Sequence, residues 1–129
     1  MTRITVVNDN PEFLALMRDI LEDDRYVTVT VDGDQPDALE RIRASRPDLL
    51  IIDLRLGTDG VHGWDIAQEV RRDPGLDALP VLVLSGDVAT LREIEEDLAA
   101  TQHTAGMAKP FGIDELERTI QRLLAEAAA

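Results

Sequence analysis

Four polar side chains stand directly after short apolar runs, where predicted strands end. They are the carboxylates of Asp9 and Asp53, the hydroxyl of Ser85 and the ammonium of Lys109. Two neighbouring carboxylates repel each other unless a cation lies between them, and proteins hold Mg²⁺ with one or two carboxylates plus water. A carboxylate beside such an ion can attack phosphorus, and the ion, a hydroxyl and an ammonium stabilise the charge on the phosphoryl oxygens. This set of residue types therefore indicates phosphoryl chemistry on an aspartate.

Each of these residues also has a simpler interpretation when it is taken alone. Residues 8–10 precede Pro11 and could cap a helix, and residues 85–87 could form a turn that caps the next helix. Asp53 could be the first polar residue after a strand, and Lys109 a solvated loop residue. Lys109 is the only lysine among 13 basic residues, either by chance or because this position needs a compact charge rather than a planar guanidinium.

Short apolar runs alternate with helical patterns along the chain. Residues 4–7, 49–52 and 81–84 predict buried strands, the alternating residues 27–31 predict an edge strand, and residues 103–108 predict a weak fifth strand. A helical spacing of apolar residues follows each strand. Five strands alternating with five helices predict an α/β fold, a parallel sheet with helices on both faces. The flavodoxin-like (βα)5 strand order 2-1-3-4-5 is the natural arrangement for this pattern.

That strand order brings the candidate residues to one place. Strands 1, 3, 4 and 5 are neighbours in it, and open α/β sheets bind ligands beyond the carboxyl ends of their strands. We therefore expect Asp9, Asp53, Ser85 and Lys109 to lie together at the carboxyl edge of the sheet.

Composition restricts the remaining classes of function. Asp and Glu total 26 against 13 Lys and Arg, and a net charge of −13 argues against nucleic acid or an anionic membrane as the main partner. The absence of cysteine excludes disulfides and thiol chemistry. With no membrane-length apolar run and no secretory signal pattern, we expect a cytoplasmic protein. Residues 1–129 are expected to form one domain, with an ordered core over residues 3–126 and a fraying alanine-rich end.

Four motifs, in order, resemble the receiver domain of two-component response regulators. They are the acidic loop at residues 6–11, the phosphoacceptor strand at 47–54, the hydroxyl strand at 80–86 and the lysine–proline motif at 109–111. The resemblance covers essentially the whole chain. It implies a signalling phosphoacceptor rather than an enzyme that acts on a separate substrate.

The resemblance also implies a phosphorylation site and a metal site. Asp53 would take a phosphoryl group from a phosphohistidine of a histidine kinase or phosphotransfer protein, with Mg²⁺ or Mn²⁺ as cofactor. Asp9, Asp53 and the backbone carbonyl of Arg55 would hold the metal, and Asn8 would contact it indirectly through water.

Further implications concern the phosphoryl oxygens and the output of the signal. Ser85 and Lys109 would contact the phosphoryl oxygens, and the bond between Lys109 and Pro110 would be cis. The family binds downstream proteins with the face formed by the fourth helix, the fifth strand and the fifth helix. In this chain that face carries an acidic run formed by Glu93, Glu95, Glu96 and Asp97. The run either suits a basic partner or is simply a solvated helix face.

Three features depart from the family pattern. The first acidic position is Asn8, and one charge lost about 6 Å from Mg²⁺ forfeits at most about 5 kcal/mol at an effective dielectric of ~20, so weaker metal binding is expected. Gly106 replaces the usual aromatic residue three positions before the lysine, so another element, such as the loop or helix after Ser85, must read out phosphorylation. The loop at residues 57–63 is longer than usual. An alternative function is therefore a phosphorylation-independent receiver-like module that only binds proteins.

Two smaller hypotheses concern charged residues near the site. Arg55 and Asp87 could pair across the carboxyl edge and hinder the water that hydrolyses an acyl phosphate, or they could be independent solvated charges. His62 and His103 have no partner at metal-ligand spacing, so we interpret them as solvated or locally hydrogen-bonded residues.

Overall fold

A single parallel sheet organises the protein. The structure, a computed structural model, describes residues 1–54 and 62–128. Its strands are β1 (Arg3–Asn8), β2 (Val27–Asp32), β3 (Leu49–Asp53), β4 (Val81–Ser85) and β5 (Thr104–Ala108). They pair in parallel in the order β2-β1-β3-β4-β5. The predicted α/β fold and strand order are thereby confirmed.

Helices cover both faces of this sheet. In the described residues they are α1 (Pro11–Asp23), α2 (Ala38–Ser45), α3 (His62–Arg72), α4 (Val88–Glu93), α5 (Glu95–Ala100) and α6 (Ile113–Ala128). The last of them continues through most of the alanine-rich end. None of the helices in the described parts of the chain has the length and hydropathy needed to cross a membrane.

The apolar residues Val88, Leu91, Ile94 and Leu98 have the spacing of one helix, but the structure divides this segment into α4 and α5. The backbone leaves helical geometry at Ile94, with φ −108° and ψ 7°, and resumes it one residue later. Ile94 is buried in the core, while Leu91 and Leu98 on either side of it pack against the same core. All three side chains thus contact the same core despite the break. The fifth helix predicted from the sequence corresponds to α6.

Successive residues of the central strands enter two separate cores, as strand geometry requires. Leu49 and Ile51 pack with the apolar faces of α1 and α6, whereas Leu50 and Ile52 pack with those of α2 and α3. Every residue of β3 and β4 is buried, which fits central strands that are covered on both faces. Asp53 is thus the last residue of a strand that has no exposed position.

The start of α3 lies against the end of β3 through Gly63, a residue that the sequence interpretation had placed in a loop. The Gly63 N–H donates to the carbonyl of Leu54 at 2.9 Å. A Cβ on residue 63 would lie 1.8 Å from the carbonyl oxygen of Asp53 and 2.9 Å from that of Leu54. Only glycine permits this approach, so Gly63 allows α3 to begin against the end of β3, next to the backbone of Asp53.

We predict that Gly63→Ala lowers the free energy of unfolding by more than about 2 kcal/mol, because the added methyl group meets backbone that is itself in the sheet. Urea denaturation of the purified variant measures this. Gly86→Ala is the control, since a Cβ there meets nothing within 4 Å. We expect it to change stability by less than about 0.5 kcal/mol. Equal stability of the two variants would contradict the close packing of α3 on β3.

Candidate functional site

The carboxylate of Asp53 is the centre of the site. Asp53 ends β3, is 8% exposed and lies in register with Leu84 of β4. Two hydrogen-bond donors meet at its Oδ2 atom: Nδ2 of Asn8, at 3.1 Å, and Nζ of Lys109, which forms an ion pair with it. The structure thus brings Asp53 and Lys109 together, as the strand order predicted, and adds Asn8 from the end of β1.

The Asn8 amide has a defined orientation. Its Oδ1 atom accepts the backbone N–H of Asn10 at 2.8 Å, so its Nδ2 atom is the one that faces Asp53. Asn10 is the residue that caps α1, because its side chain accepts the N–H groups of Glu12 and Phe13. The helix-cap interpretation of residues 8–10 is therefore correct for Asn10, while Asn8 is 3% exposed and belongs to the site.

Lys109 is held by contacts with three other residues. Its Nζ atom pairs with Asp53 and lies 4.2 Å from the centroid of the Phe13 ring, within the range of a cation–π interaction. Its backbone N–H donates to the carbonyl of Ser85 at 2.7 Å. The bond between Lys109 and Pro110 is cis, as predicted. No motif in the sequence pointed to the contact of Phe13 with the lysine.

The hydroxyl of Ser85 is engaged by its own turn. Ser85 is 1% exposed, and its Oγ atom accepts the N–H of Asp87 and donates to the carbonyl of Asp87, both at 3.0 Å. Asp87 in turn caps α4: its carboxylate accepts the N–H of Ala89 at 2.9 Å and the hydroxyl of Thr90 at 3.0 Å. In this structure the turn-and-cap interpretation of residues 85–87 describes the contacts of Ser85.

The remaining predicted residues differ in what the structure says of them. Asp9 follows Asn8 at the end of β1 and is exposed. Arg55 lies outside the described residues, so its carbonyl as a metal ligand and its pairing with Asp87 stay predictions. His62 is exposed at the start of α3, and His103 is partly buried ahead of β5. Over residues 1–54 and 62–128, no three acidic or histidine side chains cluster as a metal site by themselves.

Gly106, where the resemblance implied an aromatic residue, lies beneath α4 and α5. A Cβ at this position would be 2.9 Å from Cδ1 of Leu98 and 3.2 Å from Cδ2 of Leu91. An aromatic side chain would therefore require both leucines to move. Beside them lies an open groove of about 200 Å³, into which Val88, 52% exposed, also projects.

The strand order and the carboxylate site at the carboxyl edge of the sheet define a flavodoxin-like α/β protein. Comparison with known proteins identifies the family. The chain belongs to the response regulator receiver domain family, whose model matches residues 4–121. It is 31% identical over 128 residues to the sensor histidine kinase TmoS of Ectopseudomonas mendocina; the match covers 95% of this chain. The chain spans only 12% of the length of that relative.

Solved structures agree with this assignment. The chemotaxis protein CheY4 of Vibrio cholerae is 25% identical, with a TM-score of 0.80 and coverage of 95% of this chain and 98% of that one. The receiver domain of the sensor histidine kinase PA1611 of Pseudomonas aeruginosa is also 25% identical, with a TM-score of 0.78 and coverage of 96% and 98%. That second structure contains a magnesium ion coordinated in its active-site cleft.

We predict that Lys109→Met destabilises the protein by about 2 kcal/mol, because it leaves a buried carboxylate without its charged partner. The loss should shrink to about 1 kcal/mol or less when Asp53→Asn is already present, since no charge then needs compensation. Urea denaturation of the two single variants and the double variant measures the coupling. Arg122→Met, which removes an exposed cation on α6, is the control and should cost less than about 0.5 kcal/mol. Additive effects of the two substitutions would contradict the ion pair.

Proposed function

We propose that this receiver domain accepts a phosphoryl group on Asp53 from a phosphohistidine of a histidine kinase or phosphotransfer protein, and signals by binding another protein. It acts as a cytoplasmic phosphoacceptor within the single domain of residues 1–129 and catalyses only its own phosphorylation and dephosphorylation. The observation that carries the proposal is the buried Asp53 carboxylate at the carboxyl edge of the sheet, with the only lysine of the chain against it.

The contacts of Asp53 suit the proposed reaction. A carboxylate oxygen attacks phosphorus, the P–N bond of the phosphohistidine breaks, and the imidazole keeps the electron pair and takes up a proton. The product is an acyl phosphate on Asp53. The Lys109 ammonium lies where it can neutralise charge on the transferred oxygens, which is the main requirement of phosphoryl transfer. The Ser85 hydroxyl would donate to a phosphoryl oxygen after turning away from the carbonyl of Asp87.

The donor set fits Mg²⁺, or Mn²⁺ in its place. Asp9 and Asp53 supply two carboxylates at the ends of neighbouring strands, and a hard cation of this kind is usually held by one or two carboxylates plus water. We propose that these two side chains and the backbone carbonyl of Arg55 hold the ion, with Asn8 in indirect contact through water. The bound ion would supply positive charge next to the phosphoryl oxygens.

The partners proposed for this chain are proteins. The kinase or phosphotransfer protein would meet the carboxyl edge of the sheet, and a downstream target would bind the surface of α4, α5, β5 and α6. The helices α4 and α5 carry four exposed acidic side chains, which favour a target with basic residues: Glu93, Glu95, Glu96 and Asp97. The net charge of −13 gives neither DNA, RNA nor an anionic membrane a complementary surface.

Intact mass spectrometry after incubation with phosphoramidate and Mg²⁺ tests phosphorylation. We expect one phosphoryl adduct on the wild-type chain and none on Asp53→Asn, because that amide is not a nucleophile towards phosphorus. Asp34→Asn makes the same chemical change in an exposed loop and should leave the adduct intact. The proposal would be contradicted if the wild-type chain formed no adduct and its melting temperature also stayed unchanged on addition of beryllofluoride with Mg²⁺. That result would favour the alternative of a phosphorylation-independent binding module.

A further inference from the structure

We infer that Asn8 is a positioning residue that compensates the Asp53 carboxylate in the metal-free protein and raises the concentration of Mg²⁺ that the site requires. The inference rests on the proposed function, since it concerns the metal site of that reaction. It assigns Asn8 a direct contact with the phosphoacceptor.

The geometry of the amide carries this inference. Asn8 and Asp53 are both buried, and the distance from Nδ2 to Oδ2 is 3.1 Å. The amide is not free to turn its oxygen towards Asp53, because that oxygen already accepts the N–H of Asn10 at 2.8 Å. A donor is therefore fixed against the Asp53 carboxylate at the residue that precedes Asp9.

An aspartate at residue 8 would have the same shape and the opposite effect. One of its oxygens would still accept the N–H of Asn10. The other would take the place of the amide nitrogen, 3.1 Å from Oδ2 of Asp53. Two carboxylates in such contact repel each other unless a cation lies between them. Asn8 thus removes one negative charge and adds one hydrogen bond, and both changes stabilise the site in the absence of metal.

The same two changes weaken the attraction for a divalent cation. An incoming ion meets the Asp53 carboxylate after Asn8 and Lys109 have already compensated much of its charge. It also lacks the Coulomb attraction that a charged residue 8 would supply over a few ångströms. The site therefore binds Mg²⁺ more weakly than a site with an acid at this position. Phosphorylation of Asp53 then requires a higher concentration of Mg²⁺.

Three variants test this role. Asn8→Asp restores the charge, Asn8→Ala removes the hydrogen bond without adding charge, and Asn10→Asp is the matched control. The control makes the same change of amide to carboxylate in the same loop, at an exposed residue that retains a capping side chain. Thermal and urea unfolding in EDTA, followed by melts over a Mg²⁺ titration, give metal-free stability and an apparent Kd for each protein.

We expect Asn8→Asp to be less stable than wild type in EDTA and to bind Mg²⁺ at least ~10-fold more tightly. Asn8→Ala should lose stability in EDTA without gaining affinity. Asn10→Asp should change the affinity by less than ~3-fold, because exposed charges are screened. An Asn8→Asp protein that is unfolded in EDTA and refolds with Mg²⁺ would also support the inference, whereas one that Mg²⁺ does not restore would overturn it.

Two results separate this inference from the proposed function. If wild type is phosphorylated by phosphoramidate and Asn8→Asp shows wild-type stability in EDTA and wild-type affinity for Mg²⁺, the role of Asn8 is wrong and the function stands. If neither protein responds to Mg²⁺ and neither is phosphorylated, both proposals fail.

Discussion

The compensation of one buried carboxylate is the constraint on which this site depends. Asp53 ends a strand with no exposed residue, and a charge taken out of water in this way is costly unless charged or hydrogen-bonding partners surround it. Lys109 and Asn8 provide such partners from the strands on either side of β3 and β4. The ring of Phe13 under the ammonium and the bond from Lys109 to the carbonyl of Ser85 hold the lysine in reach.

Most of the fold could be predicted from the sequence because it depends on local patterns. The apolar runs at β3 and β4 report burial directly. The alternation in β2 does not, because Thr28 is buried while Val27 and Val29 are only partly buried. The division between α4 and α5 could not be predicted, since Val88, Leu91, Ile94 and Leu98 have the spacing of one continuous helix. On either side of the break, Leu91 and Leu98 pack over Gly106 of β5, which offers them a surface without a side chain. A helical pattern records which face is buried but does not record the shape of the surface that it must fit.

The site was predictable in its residue types and less so in its contacts. Strand ends placed Asp53 and Lys109 together, because neighbouring parallel strands end at the same edge. The direct bond from Asn8 to Asp53 depends on which end of an amide faces the carboxylate, and only the contact with Asn10 decides this. The approach of Gly63 to the carbonyl of Asp53 is a contact between backbone groups of α3 and β3, and the sequence indicates it only by one glycine among eight.

The contacts of Ser85 connect the chemistry of the site with a distant surface. Asp87 receives the Ser85 hydroxyl on its main chain and, with its side chain, secures the first turn of α4. Any ligand that draws this hydroxyl inwards must therefore take a hydrogen bond from the residue that anchors the helix. Four hydrogen bonds thus join Ser85 to the first turn of α4 through Asp87, a connection that involves no aromatic residue on β5.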